Sequence, residues 1–306
     1  MIDFVKIKFD NSNLDLLRNR LNFESVIKSK TGEVRMEKAR LHMMDILIFH
    51  PSQIVEVKGS LHKCYNSLQK KKGRNQETKS QLDKGYNGNE FNYTQLCYTI
   101  NYLCNYFDTS SNLLILKNIE FGLNIEHTFY NKLILNNLIR HIGKPFIEPQ
   151  KDFFQVEHKD YFIKCYDKGK QYGLIAETLR IELKYIKMKS LNSIGLWTLE
   201  NLKDKSILIH LNKILLKRWD EILLFDYTIR ESELNDFEKS KIDLFRNKNF
   251  WNIYEKANKL DRSKKRLNQI TNLHSDNIQD YLTEKLNRNW INLQKNCPTY
   301  YELKNQ

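Results

Sequence analysis

The sequence predicts an α+β fold: a palm-like antiparallel sheet covered by helices, followed by an all-helical C-terminal region. Three observations carry that prediction. Period-two alternation of apolar and polar residues recurs in several segments before residue 190. Helix-period segments lie between those stretches. After Ser190 the alternation ends and only helical periodicity remains. The chain is therefore expected to divide into an α+β region, residues 1–190, and a helical region, residues 191–306.

Taken in order, Met1 to Phe9 alternates and reads as a strand. Asn11 to Phe23 has Leu14, Leu16, Leu17 and Leu21 at roughly helical spacing, with Ser12 placed to cap it. Leu41 to His50 and Gln53 to Asn66 read as two strands turning at Pro51-Ser52. Gln69 to Asn89 is polar, Lys-rich and Gly-bearing, the composition of a mobile loop. Asn92 to Phe107 reads as a helix, Leu113 to Glu126 as a long strand, and Phe129 to Ile142 as a helix closed by Gly143. Phe153 to Asp167 reads as a strand pair and Thr178 to Lys187 as another strand. Beyond Ser190, Trp197 to Arg230, Glu233 to Lys259 and Asp276 to Gln294 read as amphipathic helices.

Composition narrows the class. The 306 residues suffice for one large core or two domains, and Lys plus Arg exceed Asp plus Glu by 50 to 37, a net charge of +13. Such an excess favours a polyanionic partner. The five cysteines are an odd number without a C-x-x-C pair, which argues against a disulfide framework or a zinc ribbon and for a reducing cytoplasm. The start, MIDFVKIKFD, has no apolar run of the signal-peptide kind, and no segment has the length of charge-free apolar sequence that spans a bilayer. A cytoplasmic protein without a membrane partner is expected.

The alternation also sorts side chains by face. From Leu113 the odd positions are largely apolar, while Asn118, Glu120, Gly122, Asn124 and Glu126 share the other face. Arg180, Glu182 and Lys184 point together, as do Lys164, Tyr166 and Lys168, and as do Glu56, Lys58, Ser60 and His62. Acids, lysines and a tyrosine on open strand faces suit phosphate chemistry. A tyrosine can attack a phosphodiester and keep the bond energy in a phosphotyrosine ester, and lysines or a divalent ion can offset the charge that develops. Tyr166, flanked by Lys164 and Lys168, is the candidate nucleophile, with Tyr161 and Tyr172 in reserve. Glu120, Glu182, His62 and Asn124 are the candidate ligands of Mg²⁺ or Mn²⁺. Each of these residues has a plainer reading as packing, ion pair or satisfied polar group. Lys58, Lys63, Arg180, Lys184, Arg262, Lys264, Lys265 and Arg266 are the candidate DNA contacts, the last four clustering with Lys256 and Lys259 between two expected helices.

Four segments together carry a family likeness: V-K-G-S-L-H-K-C-Y-N at 57–66 with G-Y-N-G-N at 85–89, N-I-E-F-G-L-N-I at 118–125, F-I-K-C-Y-D-K-G-K-Q-Y at 162–172, and L-R-I-E-L-K at 179–184. In order and spacing, over roughly residues 1–230, the chain resembles the replication initiators of filamentous phages and the related rolling-circle plasmid initiators. The resemblance implies metal-dependent, site-specific nicking and joining of one strand at a replication origin, with Tyr166 at the position of the family's Y-D-K tyrosine. It also implies a single strand as partner after nicking, and a host helicase and polymerase, since the sequence has no P-loop. The chain lacks the H-hydrophobe-H pair of the histidine-paired relaxases. Two other readings stand beside it: an initiator that binds DNA without cutting, and an RNA-binding module whose open sheet face stacks bases.

Overall fold

The computed structural model describes residues 1–10, 14–50, 52–69, 85–253 and 260–295. It is an α+β fold, a ten-stranded antiparallel sheet with helices and a helical C-terminal region. The strands are β1 (Ile2–Asp10), β2 (Glu24–Ile27), β3 (Val34–Leu41), β4 (Met44–Phe49), β5 (Ile54–Ser60), β6 (Ile115–Glu126), β7 (Leu138–His141), β8 (Lys144–Pro145), β9 (Ile147–Gln150), β10 (Phe153–Glu157), β11 (Tyr161–Asp167), β12 (Thr178–Tyr185) and β13 (Ile222–Leu224). The large sheet runs β2-β3-β4-β5-β1-β6-β12-β11-β10-β9, and β13-β7-β8 form a small one. The chain gathers into two compact units. The first holds Met1–Gly122, Lys184–Leu211 and the last described turn from Ile291; the second holds Leu123–Leu183 and Asn212–Trp290.

In the first unit, β1 pairs antiparallel with β5 and β6. Val5, Ile7 and Phe9 alternate into the core beside Val55 and Val57. Helix α1 (Leu14–Arg20), helix α2 (Leu61–Gln69) and helix α3 (Tyr93–Phe107) belong to this unit. Asn92 and Gln95 form a capping box at the start of α3, and its inner face buries Leu96, Ile100, Leu103 and Phe107. The Phe107 ring lies 5.4 Å from that of Phe9. Burying each such side chain contributes about 1.5–3 kcal/mol.

Two expectations for this unit are corrected. Strand β5 stops at Ser60, because the Ser60 hydroxyl accepts the Lys63 N–H at 3.0 Å and caps a helix whose Leu61 and Cys64 are buried three residues apart. His62 therefore sits on α2 and not on a strand face. The odd-numbered apolar face of β6 begins only at Ile119. Ile7 pairs with Leu116 and Lys6 with Asn118, which leaves Lys117 as an inserted bulge residue. Before it Leu114 and Leu116 are buried while Leu113 and Ile115 are exposed; after it Ile119 and Phe121 are buried. Strands β2 and β3, which the sequence reading left unassigned, form the charged outer hairpin of the sheet.

In the second unit the expected helix over Phe129–Ile142 is only α4 (Asn131–Asn136). The chain then forms β7, whose four residues are all buried, and turns into β8 through Ile142 (φ 41°) and Gly143 (φ 77°). Two consecutive left-handed residues are the signature of a tight hairpin turn. Four residues, two apolar followed by Arg140 and His141, are too few to show either period. Likewise Trp197–Arg230 is not one helix: after α6 (Lys189–Asn192) it holds a 3-10 turn at Glu200–Lys203 and α7 (Lys205–Asp220), followed by β13. Among the described residues β13 is the one strand after residue 200, and it joins the small sheet. Helix α5 (Lys168–Tyr172) follows β11. The C-terminal helices are α8 (Asp236–Arg246), α9 (Lys248–Ile253), α10 (Leu260–His274) and α11 (Ile278–Lys295).

The basic cluster at Arg262–Arg266 lies in the first turns of α10 and is not a linker, since Leu267 and Ile270 hold that helix against Trp251, Phe245 and Ile242. Lys256, Lys259, Ser12, Pro51 and residues 70–84 of the expected loop lie outside the described residues.

Gly59 faces Met44 across the β4–β5 ladder, and a Cβ there would stand 2.8 Å from the Met43 carbonyl oxygen and 2.9 Å from the Met44 Cα. Both obstacles are backbone, so relief requires the hairpin to shift. Gly59→Ala is expected to destabilise the protein by about 1–3 kcal/mol. Urea unfolding would read this as a lower midpoint at an unchanged slope.

Candidate active site

The polar faces of the strands are built from buried carboxylates held by cations. In the first unit Glu56, 3% exposed, is bridged by Lys6 at 3.0 Å and Lys8 at 3.3 Å. Lys58 stands opposite Lys6 and Asp45 in the ladders. Lys184 bridges Glu120 at 2.9 Å, and its ammonium lies 5.4 Å from the Phe4 ring centroid. His62 is buried, stacked on Phe91 at 4.9 Å, with Nε2 2.9 Å from Asn89 Oδ1. Asn66 donates to the same Asn89 oxygen and to the Tyr86 carbonyl. The Ser60 hydroxyl and the Asn87 amide both donate to Asp3. The G-Y-N-G-N segment is thus fastened onto α2 and β1, with His62 inside the fastening. Lys63, half-buried on α2, runs beside Gly85 of that segment.

In the second unit, alternation along β11 buries Ile163 and Cys165 and leaves Phe162, Lys164 and Tyr166 half-buried. Burial pushes the Cys165 thiol up, so it is inert. Lys164 lies 3.3 Å from Glu182, which also receives the Arg180 Nε–H at 2.8 Å; Arg180 Nη1 donates to Asn124 at 3.0 Å. Tyr166 pairs with Phe153 on β10, their rings 5.2 Å apart. The strand ends where the Asp167 carboxylate caps the Lys170 N–H at 2.8 Å and starts α5. Lys168, the first residue of that helix, is 1% exposed. Its ammonium lies 5.4 Å from the Tyr166 ring centroid and 4.7 Å from that of Tyr172. Two aromatic faces thereby offset part of the cost of burying the charge.

His127 Nε2 lies 2.9 Å from Asn131 Oδ1, and the Asn131 amide donates to Asp167 at 3.0 Å. Because that amide nitrogen is committed to Asp167, its oxygen accepts from His127, which fixes the Nε2–H tautomer. Burial holds the His127 pKa down, and its Nδ1 has no hydrogen-bond partner among the described residues. A His four residues before an Asn that opens a helix is the only signal the sequence offers.

Tyr161 is occupied elsewhere in the same unit. His158 stacks on it at 4.8 Å and the Arg218 guanidinium lies 4.8 Å from its centroid. His158 Nε2 is 2.8 Å from His141 Nδ1, and His141 Nε2 is 3.2 Å from Glu221, which Arg218 also bridges.

The donor set does not fit a resident divalent ion. Glu120 and Glu182 each face Lys or Arg, His62 faces an amide, and Asn124 accepts from a guanidinium. Among the described residues no three His, Cys, Asp or Glu side chains gather as a metal site requires.

No family model matches the sequence, and no curated protein matches it. Among solved structures, a rolling-circle replication initiator protein from Geobacillus stearothermophilus is similar at 11% identity and a TM-score of 0.38, covering 87% of this chain and 96% of that one. A likeness of that depth carries no argument about fold or function. Among the described residues no helix is long and apolar enough to cross a membrane.

The histidine pair makes stability depend on pH. Burial, followed by the charge of His158, pushes the His141 pKa down from 6.5 to about 4. Above pH 6.5 the ring is neutral in both folded and unfolded chains, and its packing contributes fully. As pH falls from 6.5 towards 4 the unfolded chain takes up a proton that the folded one refuses, so stability is lost. The expected loss is on the order of 2 kcal/mol. Urea midpoints at pH 7.5 and 4.5 would read it, and His141→Gln should flatten the slope between them.

Proposed function

We propose that the chain initiates rolling-circle replication by nicking one DNA strand with Tyr166 and later rejoining it. The observation that carries this reading is Tyr166 itself: a half-buried phenol on β11 with Lys164 two residues away on the same face and the Lys168 ammonium against its ring. Tyr166 Oη forms a bond to phosphorus as the bond to the 3′ oxygen breaks, and the phenolic proton ends on that oxygen. The products are a phosphotyrosine ester to the 5′ phosphate and a free 3′ hydroxyl. Attack by a 3′ hydroxyl on the ester reverses the step and reseals a strand. Lys164 offsets charge on the non-bridging oxygens. Lys168, being buried, is a positioning residue that holds the Tyr166 ring.

Lys58 and Lys63 in the first unit, and Arg262, Lys264 and Lys265 on α10 in the second, are the candidate DNA contacts; Lys184 is engaged by Glu120 at 2.9 Å, Arg266 by Glu238 at 3.2 Å and Arg180 by Glu182. A second reading is an initiator that binds and melts an origin without cutting it. The pairing of Glu120 and Glu182 with cations favours it, because those carboxylates are already neutralised. Either reading calls on a host helicase and polymerase.

Supercoiled plasmid bearing the cognate origin, incubated with and without Mn²⁺, separates the two. The proposal expects open circles with protein on a 5′ end, and Tyr166→Phe should abolish nicking and adduct while leaving DNA binding near wild type. An adduct mapped to another tyrosine, or binding with no nick, overturns it. Separately, replacing Arg262, Lys264 and Lys265 by Ala should flatten the log–log salt dependence of duplex binding by about 2–3. Fluorescence anisotropy across a salt series would measure it.

A further inference from the structure

The outer face of α3 carries a file of tyrosines that its core packing does not need. Leu96, Ile100, Leu103 and Phe107 anchor the inner face. Tyr98, Tyr102 and Tyr106 recur every four residues on another face, a step of about 6 Å along the axis. Tyr98 is 45% exposed, and the Tyr102 and Tyr106 rings lie 5.9 Å apart. Exposed amides, Asn101 and Asn105, alternate with them. Burial, with Cys64 and the neighbouring tyrosines, pushes the Tyr102 hydroxyl up to about 12, and burial raises that of Tyr106, so both are neutral phenols suited to stacking and not nucleophiles.

The file ends at a groove lined by cations. Arg20 donates to the Tyr106 carbonyl and lays its guanidinium 5.7 Å from the Tyr106 ring centroid. With Lys38 and Arg40 it lines an open groove of about 490 Å³ in which Glu24, opposite Lys38 in the ladder, is the one carboxylate among the described residues. Lys38 and Arg40 are two apart on β3, so they share a strand face.

A strained turn joins the two features. The β3–β4 hairpin turns on His42 (φ 42°) and Met43 (φ 65°), both left-handed and neither Gly nor Asn. Strain of this kind persists where the surroundings enforce it and clusters at functional sites. Here it sets the His42 ring edge-on to Tyr102 at 5.6 Å, and Arg40 reaches back to the Met43 sulfur.

We propose that the tyrosine file of α3 and the Arg20–Lys38–Arg40 groove form a binding site for single-stranded DNA, bases stacking on the rings and phosphates entering the groove. Aromatic faces beside a cationic track are how proteins hold unpaired strands without reading their sequence. The site lies wholly in the first unit and does not require Tyr166 to be a nucleophile.

The test is fluorescence anisotropy of a labelled twenty-nucleotide oligo(dT), against a duplex of equal length and an oligo(rU). Wild type should prefer the single DNA strand. Tyr102→Leu/Tyr106→Leu should weaken binding about tenfold or more with the salt slope kept, while Tyr102→Phe, which keeps a ring, should bind near wild type. Arg20→Gln/Lys38→Gln/Arg40→Gln should flatten the salt slope by about 2. Affinities unchanged in both multiple variants, equal variant losses on duplex, or tighter binding of oligo(rU) would overturn the proposal. Should the leucine variant fail to fold, photocrosslinking of wild type to an iododeoxyuridine oligonucleotide decides instead: adducts between residues 98 and 106 support the site, and adducts only elsewhere refute it. Oligo(dT) binding and crosslinking are read with no nicking step, so failure of the nicking reading and failure of this one are told apart.

Discussion

Buried carboxylates on the sheet's polar face must be neutralised in place, and the arrangement of the whole central region follows from that requirement. Glu56, Glu120 and Glu182 are each at most 8% exposed, and each is met by Lys or Arg from its own or an adjacent strand. Removing one partner of such a pair strands a charge and costs about 3–5 kcal/mol, whereas the intact pair contributes little by itself. The pairs therefore set register more than stability. A slip of one residue would swap the charged set for the apolar one along every strand.

The same pairing redirects the chemistry of the face. A carboxylate under a guanidinium is a poor ligand for a cation. Lys164 shares Glu182 with Arg180 on the strand face that carries Tyr166, and the buried Lys168 lies against the Tyr166 ring. The His127–Asn131–Asp167 chain fixes the start of α5 to the start of α4 and thereby the turn on which Lys168 sits.

Much of the fold was legible because it rests on local rules. The β10–β11 pair, β12, α3 and α11 all follow from period and caps, and their bounds fall within a few residues of the sequence reading. The failures have specific physical causes. A single inserted residue, Lys117, inverted the face of β6 upstream of it. A serine cap converted the end of an alternating run into α2 and carried His62 with it. β7 and β13 are buried on all sides, so they show no period at all. Of the site, the Lys164–Tyr166 face was readable from alternation, but ion pairing was not: Glu120 and Glu182 look the same in sequence whether they await a metal or face a lysine. The tyrosine file of α3 is a four-residue repeat that the sequence reading passed over, and its cationic end depends on how β3 comes near α1.

The interleaving of the two units has a consequence for synthesis. Strand β6 and strand β12 each pass through both units, and the first unit draws on three separate stretches of chain. A ribosome therefore releases the early hairpins long before the residues that finish their unit exist. Until the stretch from Lys184 has emerged, β1 and β5 must hold together by their own ladder and α3. Pairings this distant in sequence are slow to close, because loop entropy is spent before the contacts repay it. The nascent chain would thus display lysine-studded strand edges for seconds at a time, and like charges on those edges keep neighbouring copies from pairing with them.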